Sequence, residues 1–120
     1  SDRKERRRVI KPATSQSLVK MMVNAVENGS GRRAQIPGYS VAGKTGTAQV
    51  ALPGGGYGDK TIHTFVGFSP AFDPAFVMLV KLDNPRGVAF SELTAAPVFR
   101  TVGEYVLQYL GVRPDKPLAK

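Results

Sequence analysis

No cysteine occurs among the 120 residues, so neither a disulfide framework nor a thiolate metal site is available. That absence fits an oxidising and a reducing compartment equally well. His63 is the only histidine. With no His/Asp/Glu cluster at metal-ligand spacing, the sequence predicts no metal, and nothing in it asks for a cofactor. No apolar run approaches the roughly 18 residues of a membrane-crossing helix, and the N-terminus lacks a signal peptide's apolar core. The chain opens on Ser1-Asp2-Arg3 without a methionine and reads as a piece of something longer, so a missing anchor says nothing about location. Acidic residues are scarce too, nine against seventeen Lys and Arg, for a net charge of +8.

The distribution of that charge argues against nucleic acid as the partner. Arg3, Lys4, Arg6, Arg7, Arg8 and Lys11 crowd the first eleven residues. Residues 1–12 therefore read as a basic, extended, solvated arm, with an anionic membrane surface or a polyanion as the other reading of the run. The remainder suits one modest domain: 42% of the chain is apolar, and nine prolines and thirteen glycines are scattered as turn residues rather than massed as in disorder.

Val9-Ile10 reads as an extended lead-in. Leu18, Met21, Met22, Ala25 and Val26 then recur at helical spacing, which predicts a helix over 15–28 with Thr14 or Ser15 as its cap. A strand is expected from Ser40 to Leu52, a glycine-rich hairpin loop over 53–60, a second strand over 61–68, and a third over 75–82. The third is so continuously apolar that it reads as covered on both faces. Thr94 can cap a last helix with Pro97 in its first turn and the stripe Phe99, Val102, Val106, Leu107 and Leu110. The order gives an α+β fold: a three-stranded antiparallel sheet with an N-terminal and a C-terminal helix packed on it. This domain spans 13–112, and 113–120 reads as a flexible tail. His63 is expected at a strand surface.

The first strand carries the chemistry. Val41-Ala42-Gly43-Lys44-Thr45-Gly46-Thr47-Ala48 sets one ammonium and two hydroxyls among apolar residues, with no acid nearby, which makes an anion-binding edge. Gly38 to Thr45 also spells the phosphate-binding G-x-x-x-x-G-K-T. That loop needs a helix directly after Lys-Thr, and Gly-Thr-Ala-Gln-Val-Ala-Leu is a strand instead, so a nucleotide-binding reading is rejected.

Lys44-Thr45-Gly46-Thr47 resembles the K-T-G motif of the penicillin-binding proteins, and its flanks resemble the class B D,D-transpeptidases. Thr64-Phe65-Val66-Gly67-Phe68 and Ala95-Ala96-Pro97-Val98-Phe99 fall in that family's order, so the resemblance covers roughly residues 8–112. It implies a five-stranded sheet, two of whose strands come from elsewhere, and a serine acyl-enzyme that cross-links peptidoglycan in the bacterial cell envelope. The parent would be anchored in the cytoplasmic membrane with this domain outside. The implied partners are the D-Ala-D-Ala stem peptide, β-lactam antibiotics and the missing N-terminal part of the transpeptidase domain. The resemblance gives Lys44, Thr45, Gly46 and Thr47 to substrate binding, with Lys44 and the Thr47 backbone N–H acting in catalysis. Two of the family's motifs depart. S-x-N is absent, and Ser17-Leu18-Val19-Lys20 spells S-x-x-K only some two dozen residues before Lys44, on a helix that lacks the nucleophile in the family. The chain alone is therefore expected to be an incomplete enzyme. A fragment of a serine β-lactamase or β-lactam sensor of the same fold, and a basic nucleic-acid or membrane-surface module, are the alternatives.

Overall fold

A computed structural model describes residues 7–117. Helix α1 runs Pro12–Glu27. It starts three residues before the expected position because Pro12 opens it, where a missing N–H costs nothing and the fixed φ suits the helix. Lys11, not Thr14 or Ser15, is the N-cap, and its carbonyl accepts the Ser15 N–H at 3.0 Å. Residues 1–6 of the basic arm lie outside the described residues. Arg7 to Lys11 are exposed, and Val9-Ile10 joins no strand.

After a short 3₁₀ turn at Arg32–Ala34 come three strands, β1 at Ala42–Ala51, β2 at Tyr57–Ser69 and β3 at Phe76–Asp83. They pair antiparallel in the order β1-β2-β3, which makes the expected meander. The hairpin loop between β1 and β2 is shorter than expected. Tyr57 already pairs with Ala51, and the Leu52 N–H donates to Gly56 O across the turn.

Directly opposed residues in an antiparallel ladder share a face, so the register assigns the side chains. Thr45, Phe65 and Val80 share one face, as do Thr47, His63 and Leu82. That face is covered by helix α2, Ala95–Tyr109. Its core is aromatic: the Phe65 and Phe99 rings lie 4.8 Å apart and Phe76 meets Phe99 at 5.9 Å, with Val26, Ile36 and Leu107 filling around them.

The buried line of α2 is Ala95, Ala96, Phe99, Gly103 and Leu107, while Val102 and Leu110 of the expected stripe are exposed. Gly103 decides this rotation. A Cβ there would stand 2.8 Å from Ile36 and 3.1 Å from the Phe76 ring, so the helix packs through its glycine and turns Val102 away.

The opposite face carries Ala42 and Phe68, which pack with Ala71 beneath Val19, Met22 and Val23 of α1. Beyond that contact it is bare: Val77 is 73% and Leu79 63% exposed. The expectation that β3 is covered on both faces is thus corrected. Phe76, Met78 and Leu82 turn toward the α2 side, and no described residue covers Val77 and Leu79. The tail also departs from expectation. The Lys116 N–H donates to Gly38 O at 3.0 Å, which ties residues 113–116 of that tail to the domain; residues 118–120 lie outside the described residues.

Candidate functional site

β1 is an edge of the sheet among the described residues. Which of its backbone groups face outward follows from the ladder. The Asn84 N–H donates to Thr61 O, so the odd-numbered residues of β2 direct their N–H and C=O groups toward β3. The even-numbered ones face β1, where their partners are Lys44, Gly46 and Ala48. Thr45 and Thr47 therefore direct their backbone groups away from the sheet. Thr64 Oγ1, donating to Gly46 O at 3.3 Å, agrees with that assignment.

The structure brings the four expected site residues onto one free edge, Lys44 and Thr47 exposed, Thr45 and Gly46 half-buried. Lys44 and Gly46 share the face of Val66 and Thr64, while Thr45 and Thr47 share the face of Phe65 and His63. The ammonium and the hydroxyls thus leave opposite sides of the strand, and the ammonium bends back to the outer rim. There Lys44 Nζ donates to the outward carbonyl of Thr45 at 2.8 Å. Gly46 is needed for a reason that the sequence did not suggest. A Cβ at that position would come within 2.5 Å of Thr64 Oγ1, so a side chain there would force the Thr64 hydroxyl out of its bond to Gly46 O.

Both hydroxyls are oriented from behind. Thr45 Oγ1 bonds Ser30 Oγ at 2.9 Å, from the loop after α1. Thr47 Oγ1 accepts the Ser91 N–H at 3.3 Å, from a 3₁₀ turn at Ser91–Leu93. Ser30, Thr45, Thr47, Phe90, Ser91 and Glu92 together line a cleft of about 270 Å³. Ser30 and Ser91 were not singled out in the sequence, since each sits in a loop with no pattern around it.

His63 corrects the expectation of a surface residue: it is fully buried across the ladder from Thr47. Its Nδ1 lies 2.9 Å from Thr94 Oγ1 and its Nε2 3.1 Å from Thr61 Oγ1. Both ring nitrogens are thus engaged, one by each threonine hydroxyl. The ring thereby braces the turn that meets Thr47. The one formal S-x-x-K serine is spent locally, Ser17 Oγ donating to Ala13 O of its own helix at 3.0 Å. After Lys44-Thr45 the chain continues as strand to Ala51, which removes the phosphate-loop reading.

The model of the penicillin binding protein transpeptidase domain matches residues 1–104. The chain belongs to this family. A probable peptidoglycan D,D-transpeptidase PenA of Neisseria flavescens is 36% identical over 115 residues, 94% of this chain and 29% of that protein. The apo transpeptidase domain of Burkholderia pseudomallei penicillin-binding protein 3 superposes with a TM-score of 0.83 at 35% identity, over 92% of this chain and 34% of that one. Mycobacterium tuberculosis penicillin-binding protein 3, solved with ampicillin, gives 0.77 at 34% identity, over 93% and 28%. The chain thus spans less than a third of that relative's length and about a third or less of these two solved chains.

Proposed function

We propose that this chain forms one wall of a D,D-transpeptidase active site, with β1 as the surface that receives the C-terminal end of a D-Ala-D-Ala stem peptide or of a β-lactam that mimics it. The free edge of β1 carries the reading. Its outward N–H and C=O groups at Thr45 and Thr47 are spaced for an extended peptide to add as a further strand. The Lys44 ammonium and the two threonine hydroxyls are donors suited to the terminal carboxylate, which binds charge-assisted hydrogen bonds.

A serine outside these residues attacks the penultimate carbonyl and its oxygen becomes an oxyanion, which the outward Thr47 N–H stabilises. Terminal D-Ala leaves, and an amine of a second stem peptide takes the acyl group and restores the serine. The family's cell-envelope setting, with the parent anchored in the cytoplasmic membrane and this domain outside, goes with that chemistry.

The bare apolar face supports the same reading. Val66, Val77 and Leu79 are exposed, and beside them a cleft of about 860 Å³ opens between α1 and the sheet, lined by Val19, Phe68, Ala71, Phe72 and Val77 among others. A surface of this kind is covered in a finished domain, and here the remaining part of the transpeptidase domain covers it and brings the nucleophile to the β1 edge.

Incubation with a labelled β-lactam followed by mass spectrometry tests the assignment. No adduct is expected on the 120-residue chain, and one stoichiometric serine adduct is expected once the rest of the domain is joined to it. A stoichiometric adduct on Ser17 of the chain alone overturns the reading.

A further inference from the structure

Among the described residues β1 pairs with a strand on one side only, so its placement depends also on what grips its leading end. Residues 112–116 come back from α2 to that point. Tyr39 Oη donates to Val112 O at 2.7 Å, the Lys116 N–H donates to Gly38 O, and the Lys116 ammonium pairs with Glu27 at the end of α1. Between these contacts the Asp115 carboxylate takes both donors of one residue. It accepts the Ser40 N–H at 2.7 Å on Oδ1 and the Ser40 hydroxyl on Oδ2.

Ser40 is 2% exposed and fully engaged. Its Oγ accepts the Ala71 N–H at 2.8 Å, and its carbonyl accepts Ser69 Oγ at 2.9 Å and the Ala71 N–H at 3.0 Å. It thus joins the carboxylate to the far end of β2, just ahead of Ala42, where β1 begins. A strand is stiff along its axis, so a hold at Ser40 sets where Lys44, Thr45 and Thr47 stand along the edge.

We propose that Asp115 is a positioning residue for the β1 site: through Ser40 it fixes the leading end of the strand, and so the placement of Lys44 and the Thr47 N–H for a bound carboxylate and oxyanion. The functional half of this statement rests on the transpeptidase reading. The mechanical half does not.

The test compares wild type, Asp115→Ala and Asp115→Asn, the last keeping one acceptor oxygen for Ser40. Amide hydrogen exchange of the full chain, read by NMR, is expected to speed up about tenfold to a hundredfold at Lys44 and Gly46 in Asp115→Ala, and less in Asp115→Asn. Phe65 and Val80, in the β2-β3 ladder, are expected to stay at wild-type rates. An equal rise at all four sites marks a merely structural staple and overturns the proposal, as does no change. If Asp115→Ala fails to fold, Asp115→Asn gives the same comparison.

In the joined domain, β-lactam acylation is expected to fall about tenfold in Asp115→Ala and to recover partly in Asp115→Asn. Selective exchange with unchanged acylation overturns the functional half. A wild-type joined domain that is not acylated overturns the transpeptidase reading instead, and the exchange pattern then judges the clamp alone.

Discussion

Among the described residues the two edges of this sheet have the same unpaired backbone and opposite side chains. β1 shows Lys44 and Thr47 to solvent, with its hydroxyls oriented by Ser30 and Ser91. β3 shows Val77 and Leu79, with nothing among the described residues against them. An unpaired edge recruits a partner in either case. What differs is the permanence of the partner. A rim of charge and hydroxyl stays solvated when empty and releases its ligand, so it suits a substrate that comes and goes. An apolar rim gains by burial at roughly 25 cal/mol per Å² and keeps what it binds. On the proposed reading, a binding edge and an assembly edge are thus separable, although Phe65, Phe99 and Val80 of one core support both.

Removing that shared support should have the largest effect. Phe99→Ala empties the contact between α2 and both Phe65 and Phe76, and is expected to cost about 3–5 kcal/mol in urea unfolding. A loss under about 1 kcal/mol would mean that the edges do not depend on this core. Next comes Lys44→Met in the joined domain. Acylation by a β-lactam should fall about a hundredfold while the unfolding midpoint hardly moves, since the side chain is exposed. A midpoint that fell in step with activity would put Lys44 in the scaffold instead. Thr47→Val keeps the shape and the backbone N–H but removes the hydroxyl that accepts from Ser91. The expected loss is smaller, about tenfold in acylation rate by stopped-flow fluorescence.

Much of this was legible because it is local. Lys44-Thr45-Gly46-Thr47 are adjacent, the apolar spacing of α1 marks a helix, and turn residues separate the strands. What could not be read depends on pairs far apart in the chain. His63 looked like a strand surface residue because its partner hydroxyl at Thr94 lies 31 residues on, and no local pattern joins them. Asp115 and Ser40 are 75 apart, so the tail looked free. The rotation of α2 turned on Gly103, which a hydrophobic stripe counts as neutral although its lack of a side chain sets the packing. β3 was misread for another reason. A continuous apolar run does not say which face is covered, and the described residues cover one face only.

The smallest expected change follows from that last point and separates the edges most cleanly. Val77 and Leu79 lie on the bare face of β3, so replacing both by Lys removes little packing from the chain itself. Its own stability is expected to shift by no more than about 0.5 kcal/mol per site in urea unfolding. Two ammonium groups at that position should nevertheless suppress self-association through β3, read as a fall in weight-average mass by sedimentation. They should also weaken joining to the rest of the domain, because a partner would have to desolvate both charges. The polar edge should be unaffected, with the amides of Lys44 and Gly46 exchanging as in wild type. If exchange at β1 rose as well, the edges would be coupled through β2, and the division between a binding rim and an assembly rim would fail.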